Sequence, residues 1–62
     1  MEIKVWDKRS EKGITLKELS LRTGISKSAL QRIESGKVSP TLEKLEIIAK
    51  ALGVRITDLF KE

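Results

Sequence analysis

Four isolated glycines divide the chain into short segments. They stand at positions 13, 24, 36 and 53, and each follows a stretch in which apolar residues recur at the spacing of an α-helix. We find no stretch that predicts a strand, no internal repeat and no flexible linker. The sequence therefore predicts an all-α bundle of short helices, forming one domain over residues 1–62.

The composition limits how such a bundle can be held together and what it can do. The 62 residues include no cysteine and no histidine, and one Trp and one Phe are the only aromatic residues. With no disulfide or zinc site available, aliphatic side chains must form the core. The usual general base and the thiolate nucleophile are also absent, so we expect no enzyme, no catalytic residue, no metal and no cofactor.

The charge is unevenly distributed along the chain. Thirteen Lys and Arg against nine Asp and Glu give a net charge of +4, and the whole excess lies in residues 1–37. A basic surface permits a polyanionic partner without demonstrating one. No apolar run exceeds three residues, so neither a membrane span nor a secretory signal is expected, and the predicted location is the cytoplasm.

Local signals predict where the helices begin and end. Thr15 is expected to cap a helix and to form a capping box with Glu18, while Ser26 and Thr41 cap two further helices. Gly24 and Gly53 end helices because glycine adopts the left-handed conformation without steric cost. The five expected helices span residues 2–12, 16–23, 27–35, 42–52 and 56–61.

The third helix has a wholly polar face. Only Ile25 separates Gly24 from the cap Ser26, so the second and third helices must be joined by a very tight turn. Stepping 100° per residue places Ala29, Leu30 and Ile33 on one side and Lys27, Ser28, Gln31 and Arg32 on the other. A helix, a tight turn and a polar second helix are typical of a DNA-binding helix-turn-helix.

Residues 14–60 resemble the lambda-repressor-like, Cro and phage-repressor type of bacterial regulator, also called the XRE family. Further matches follow the turn, so the resemblance extends beyond the helix pair. The motifs that carry it are Lys12-Gly13-Ile14-Thr15, Glu18-Leu19, Thr23-Gly24-Ile25-Ser26, Ile33-Glu34-Ser35-Gly36-Lys37, Ser39-Pro40-Thr41-Leu42 and Ile48-Ala49-Lys50-Ala51-Leu52-Gly53-Val54.

The resemblance implies a compact five-helix bundle whose third helix enters the major groove of double-stranded DNA. The expected base-reading residues are Lys27, Ser28, Gln31 and Arg32. The expected phosphate-binding residues are Thr15, Lys17, Ser26, Ser35 and Lys37. Arg9 and Glu34 would form an ion pair of structural importance. The family also implies a repressor that acts as a homodimer on a near-palindromic operator, and we expect no small-molecule ligand.

Two positions depart from the family pattern. Leu16 stands where many members carry a glutamine that binds a phosphate, and Lys8 stands where a leucine is usual. Trp6, beside Lys8, is expected to face the core or a dimer partner rather than to stack on bases, since stacking proteins interleave several aromatic residues.

Other functions remain open from the sequence. The same scaffold could serve an antitoxin or adaptor that binds a protein partner. The chain could also be the DNA-binding part of a longer sensor-regulator. An enzyme is the most remote alternative, because its only acid–base candidates are carboxylates such as Asp7 and Glu11, one helical turn apart.

Overall fold

Four α-helices and one small pair of strands make up the fold. The computed structural model describes residues 1–62. The elements in chain order are strand β1 (Glu2–Ile3), helices α1 (Val5–Glu11), α2 (Leu16–Thr23), α3 (Lys27–Glu34) and α4 (Leu42–Leu52), a 3-10 turn (Ile56–Asp58) and strand β2 (Phe60–Lys61). None of the helices is long and apolar enough to cross a membrane.

The prediction of five helices and no strand is wrong at the two ends of the chain. Antiparallel β1 and β2 pair Glu2 with Lys61 and Ile3 with Phe60, so α1 begins at Val5 rather than at residue 2. The predicted helix over 56–61 is a single 3-10 turn followed by β2. A helix of six residues gains few hydrogen bonds for the cost of nucleation, whereas pairing with the other end satisfies both backbones.

The core is entirely apolar and draws on every helix. No polar or charged residue is buried. The ten buried residues are Val5, Ile14, Leu19, Leu30, Ile33, Leu45, Ile48, Ala49, Leu52 and Leu59. Four of them lie on α4, which contacts both α2 and the 3-10 turn. This helix packs on α2, and α2 in turn contacts α3.

The predicted caps of α2, α3 and α4 are confirmed. The hydroxyl oxygens of Thr15, Ser26 and Thr41 each accept a hydrogen bond, 3.1 Å long, from a backbone N–H three residues later. The second half of the predicted capping box is wrong. The carboxylate of Glu18 accepts instead from Arg22 Nη2 at 2.8 Å, because a cation one turn along the helix is the stronger partner.

Candidate nucleic-acid interface

Two hydroxyl groups fix the turn between α2 and α3. Gly24 ends α2 with a φ of 76°. Ser20 Oγ donates to the carbonyl oxygen of Ile25 at 2.7 Å, and Thr23 Oγ1 accepts from the N–H of the same residue at 3.1 Å. Both backbone polar groups of Ile25 are therefore bonded. The turn gains a definite conformation, and with it α3 gains a definite direction relative to α2.

The two sides of α3 have opposite character, as the periodicity predicted. Leu30 and Ile33 are buried in the core, and Ala29 is half-buried. The four predicted base-reading residues, Lys27, Ser28, Gln31 and Arg32, are all exposed. None of them takes part in an ion pair. Their polar groups are available to a partner outside the chain.

An open depression of about 740 Å³ lies beside this exposed face. One side is lined by residues of α3 and its exit, namely Ser28, Gln31, Arg32, Ser35 and Lys37. The structure thus brings three predicted base-reading residues together with two predicted phosphate-binding residues. Lys27, although exposed, does not line the depression, and neither do Thr15, Lys17 and Ser26.

Those three remaining phosphate-binding candidates lie at the amino ends of helices. Thr15 and Ser26 are the caps of α2 and α3, and Lys17 lies in the first turn of α2. A hydroxyl that accepts a backbone N–H keeps its own proton to donate. The positive end of the helix dipole favours an anion at such a place.

The Arg9–Glu34 ion pair anchors α1 to α3. Arg9 Nε and Nη2 donate to the two carboxylate oxygens of Glu34 at 2.8 and 3.0 Å, and Nη1 donates to the carbonyl oxygen of Ile14 at 3.0 Å. The hydrogen bonds that Arg9 donates to Glu34 raise the pKa of Arg9, and the negative charge of Glu34 adds to this, although partial burial lowers the pKa. The guanidinium therefore stays charged and neutralises Glu34.

This pair also decides the electrostatics of the depression, which both of its members line. Since Arg9 and Glu34 neutralise each other, Arg32 and Lys37 remain as its two unpaired charges. The depression is therefore cationic.

One cation near the helix pair is used within the fold. Arg22 Nη2 binds Glu18 at 2.8 Å, and Nη1 donates to the carbonyl oxygen of Ala51 near the end of α4 at 3.2 Å. The side chain of Arg22 thus ties α2 to α4. These bonds use two of the five guanidinium N–H donors, and Glu18 neutralises the charge of Arg22.

Sequence reasoning did not place Trp6 beside α3. Trp6 on α1 and Leu16 on α2 line the depression together with the polar residues of α3. Trp6 is 56% exposed, so the structure excludes the core from the two expected environments, and the other, a dimer partner, stays a prediction. A signal did exist in the sequence, because Trp6 and Arg9 are three residues apart and therefore share a helix face.

Comparison with known proteins agrees with this architecture. A helix-turn-helix family model matches residues 7–59. An HTH-type transcriptional regulator of Sinorhizobium fredii is 41% identical over 51 residues, which cover 82% of this chain and 66% of that protein. One of Methanothermobacter thermautotrophicus is 36% identical over 61 residues, covering 97% and 88% respectively.

A third relative is much longer than this chain. The HTH-type transcriptional regulator SlrR of Bacillus subtilis is 36% identical over 53 residues, which cover 84% of this chain and 35% of SlrR. The chain thus spans about two thirds of the Sinorhizobium relative and about one third of SlrR. The match to the family model extends from α1 to the 3-10 turn, and the chain belongs to the XRE-type helix-turn-helix family.

Proposed function

We propose that this chain is a sequence-specific, double-stranded DNA-binding transcription regulator that inserts α3 into the major groove. The observation that carries the proposal is the outward face of α3, where four exposed polar side chains form no ion pair. The opposite side of the helix is held in the core by Leu30 and Ile33. A major groove admits one α-helix and presents donors and acceptors to it. The names of the relatives, which are transcriptional regulators, support the same function.

Each exposed residue of α3 has a chemical role in this proposal. Arg32 and Lys27 donate to the O6 and N7 acceptors of guanine, and Gln31 pairs with adenine through its amide. Ser28 can donate to or accept from either kind of base pair. These four side chains would supply the sequence preference.

The phosphate contacts would set the register of α3 without reading sequence. We assign them to Thr15, Lys17, Ser26, Ser35 and Lys37. Three of these side chains lie at helix amino ends, and the other two lie at the exit of α3 beside the cationic depression. The DNA backbone would therefore be contacted at two places, beside the helix amino ends and beside the exit of α3.

We further propose that the chain binds as a homodimer. A single module this small buries too little DNA surface for tight specific binding. Two copies related by a twofold axis would place their α3 helices in half-sites about 34 to 36 Å apart, on a near-palindromic operator. A dimer bound over a promoter obstructs access to it, which makes repression the mode of action that we propose.

Selection of bound duplexes from a random DNA pool tests the function directly. We expect an enriched motif with twofold symmetry, a complex of two chains per duplex, and affinity that falls steeply with added salt. The proposal would be contradicted if no motif were enriched and if the tightest binding of the chain were to a protein partner and insensitive to salt. That result would favour the antitoxin or adaptor function, in which the scaffold binds a protein.

A further inference from the structure

Trp6 is the largest apolar side chain on the rim of the cationic depression. It projects from the first turn of α1 and is 56% exposed, whereas Leu16, at the start of α2, is half-buried against the core. Exposing most of an indole to water gains nothing for folding. Trp6 lines the same depression as the unpaired cations Arg32 and Lys37, so an occupant with both apolar and anionic surface would fit it best.

A DNA strand has this mixed chemistry. Its backbone alternates charged phosphates with deoxyribose rings whose carbon faces are apolar, and proteins contact both. The depression offers unpaired cations and hydroxyls on the α3 side and the indole with Leu16 on the other. Its volume, about 740 Å³, is within the range of roughly 300–1,000 Å³ for pockets that enclose drug-sized groups, which suffices for a sugar–phosphate unit.

A second copy of the chain fits the depression less well. A twofold-symmetric contact uses the same surface on both copies. Arg32 and Lys37 of one copy would then approach those of the other, and no unpaired carboxylate lines the depression to compensate for them. The depression is moreover continuous with the face of α3 proposed to enter the groove, since both include Ser28, Gln31 and Arg32.

We propose that Trp6 is a DNA-backbone contact, in which the indole packs on a deoxyribose of the strand that flanks the half-site bound by α3. Ser35 and Lys37 hold the neighbouring phosphates, and Leu16 extends the apolar side of the contact. The contact is independent of base identity because every nucleotide carries the same sugar. This inference rests on the proposed function and extends its interface from α3 to α1.

Fluorescence provides a direct readout, because Trp6 is the only tryptophan in the chain. The intact chain is titrated with the duplex enriched by selection and with a scrambled duplex, while a labelled duplex reports binding by anisotropy. Acrylamide, a neutral quencher that DNA does not repel, reports the accessibility of Trp6. We expect bound DNA of either sequence to lower the quenching constant.

Two substitutions test the contribution of the contact. Trp6→Ala should lower the affinity for both duplexes by a similar factor, about tenfold, as expected for loss of an aromatic anchor. Trp6→Phe should retain most of the affinity. Leu21→Ala is the matched control, because Leu21 is 77% exposed on α2 and does not line the depression, and it should bind as the unsubstituted chain does.

The outcomes separate this inference from the proposed function. Normal anisotropy with unchanged quenching and an unaffected Trp6→Ala variant would overturn the contact and leave DNA binding intact. No anisotropy change with any duplex would overturn both. Shielding of Trp6 that grows with protein concentration in the absence of DNA would overturn the contact in favour of a second copy. The quenching arm remains decisive even if Trp6→Ala does not fold.

Discussion

Helices α2 and α3 are built alike and used differently. Each has eight residues, begins at a hydroxyl cap and places a fully buried leucine in the common core, Leu19 in one and Leu30 in the other. On α2 the cation Arg22 is engaged, since it binds both Glu18 and a carbonyl oxygen of α4, whereas Lys17 in the first turn has no ionic partner. On α3 the cations Lys27 and Arg32 have no ionic partner within the chain.

Arg22 on α2 thus supports the fold, whereas Lys27 and Arg32 on α3 are free to contact DNA. A cation whose hydrogen bonds are satisfied internally adds modestly to stability, and its rearrangement to meet a phosphate would break those bonds. A cation without an ionic partner adds no ion pair to the fold, and it breaks none when it meets DNA. Five substitutions, ordered from the largest expected effect to the smallest, test whether these residues divide the work in this way.

The inward sides of the two helices should be equivalent. Leu19→Ala and Leu30→Ala each remove a fully buried side chain and should lower the free energy of unfolding by about 3 kcal/mol. Urea denaturation followed by circular dichroism measures both. Leu21→Ala, on the exposed side of α2, serves as the control and should change stability by less than about 0.5 kcal/mol. A large difference between the two core variants would break the equivalence.

The outward side of α3 should matter for binding alone. Arg32→Ala should weaken binding to the selected duplex by about 1 to 3 kcal/mol and relax the preference at one base position. The free energy of unfolding should not change. Anisotropy titrations on single-base variants of the duplex measure this. An equal loss on selected and random DNA would remove Arg32 from the base-reading residues.

The exit of α3 should contribute to binding without selectivity. Lys37→Ala should lower affinity by the same factor for selected and random duplexes, and by less than Arg32→Ala does on the selected one. The slope of log K against log salt concentration should fall by about one, the change expected for loss of one phosphate contact. An unchanged slope would mean that Lys37 does not meet a phosphate.

Arg22 on the outward side of α2 should matter for stability alone, and only slightly. Arg22→Ala should lower the free energy of unfolding by about 0.5 to 1 kcal/mol, because its bonds to Glu18 and Ala51 are solvent-exposed. Affinity for DNA should be retained at equal salt. A loss of affinity comparable to that of Arg32→Ala would show that the cations of α2 and α3 share one role.

Signals within a few residues of each other allowed most of the fold to be predicted. The caps at Thr15, Ser26 and Thr41 and the ends at Gly24 and Gly53 are confirmed, because each depends on a side chain or a φ angle inside one turn. The strand pair escaped prediction because it joins the two ends of the chain. Two residues per strand leave no alternating pattern to detect.

The site was predictable to the same extent and for the same reason. Periodicity alone separates the exposed residues of α3 from its buried ones. The position of Trp6 beside α3 depends on how closely α1 and α3 approach, which the sequence does not encode locally. The contacts of these residues with DNA remain predictions.

The strand pair makes the chain suitable for circular permutation. Because Glu2 lies beside Lys61, the two ends of the chain emerge side by side on the surface. A short linker could join them without crossing the helices, and a new opening could be made at an exposed loop such as residues 37–39, as circular permutation requires. The packed core should therefore form with the helices in a different order along the chain.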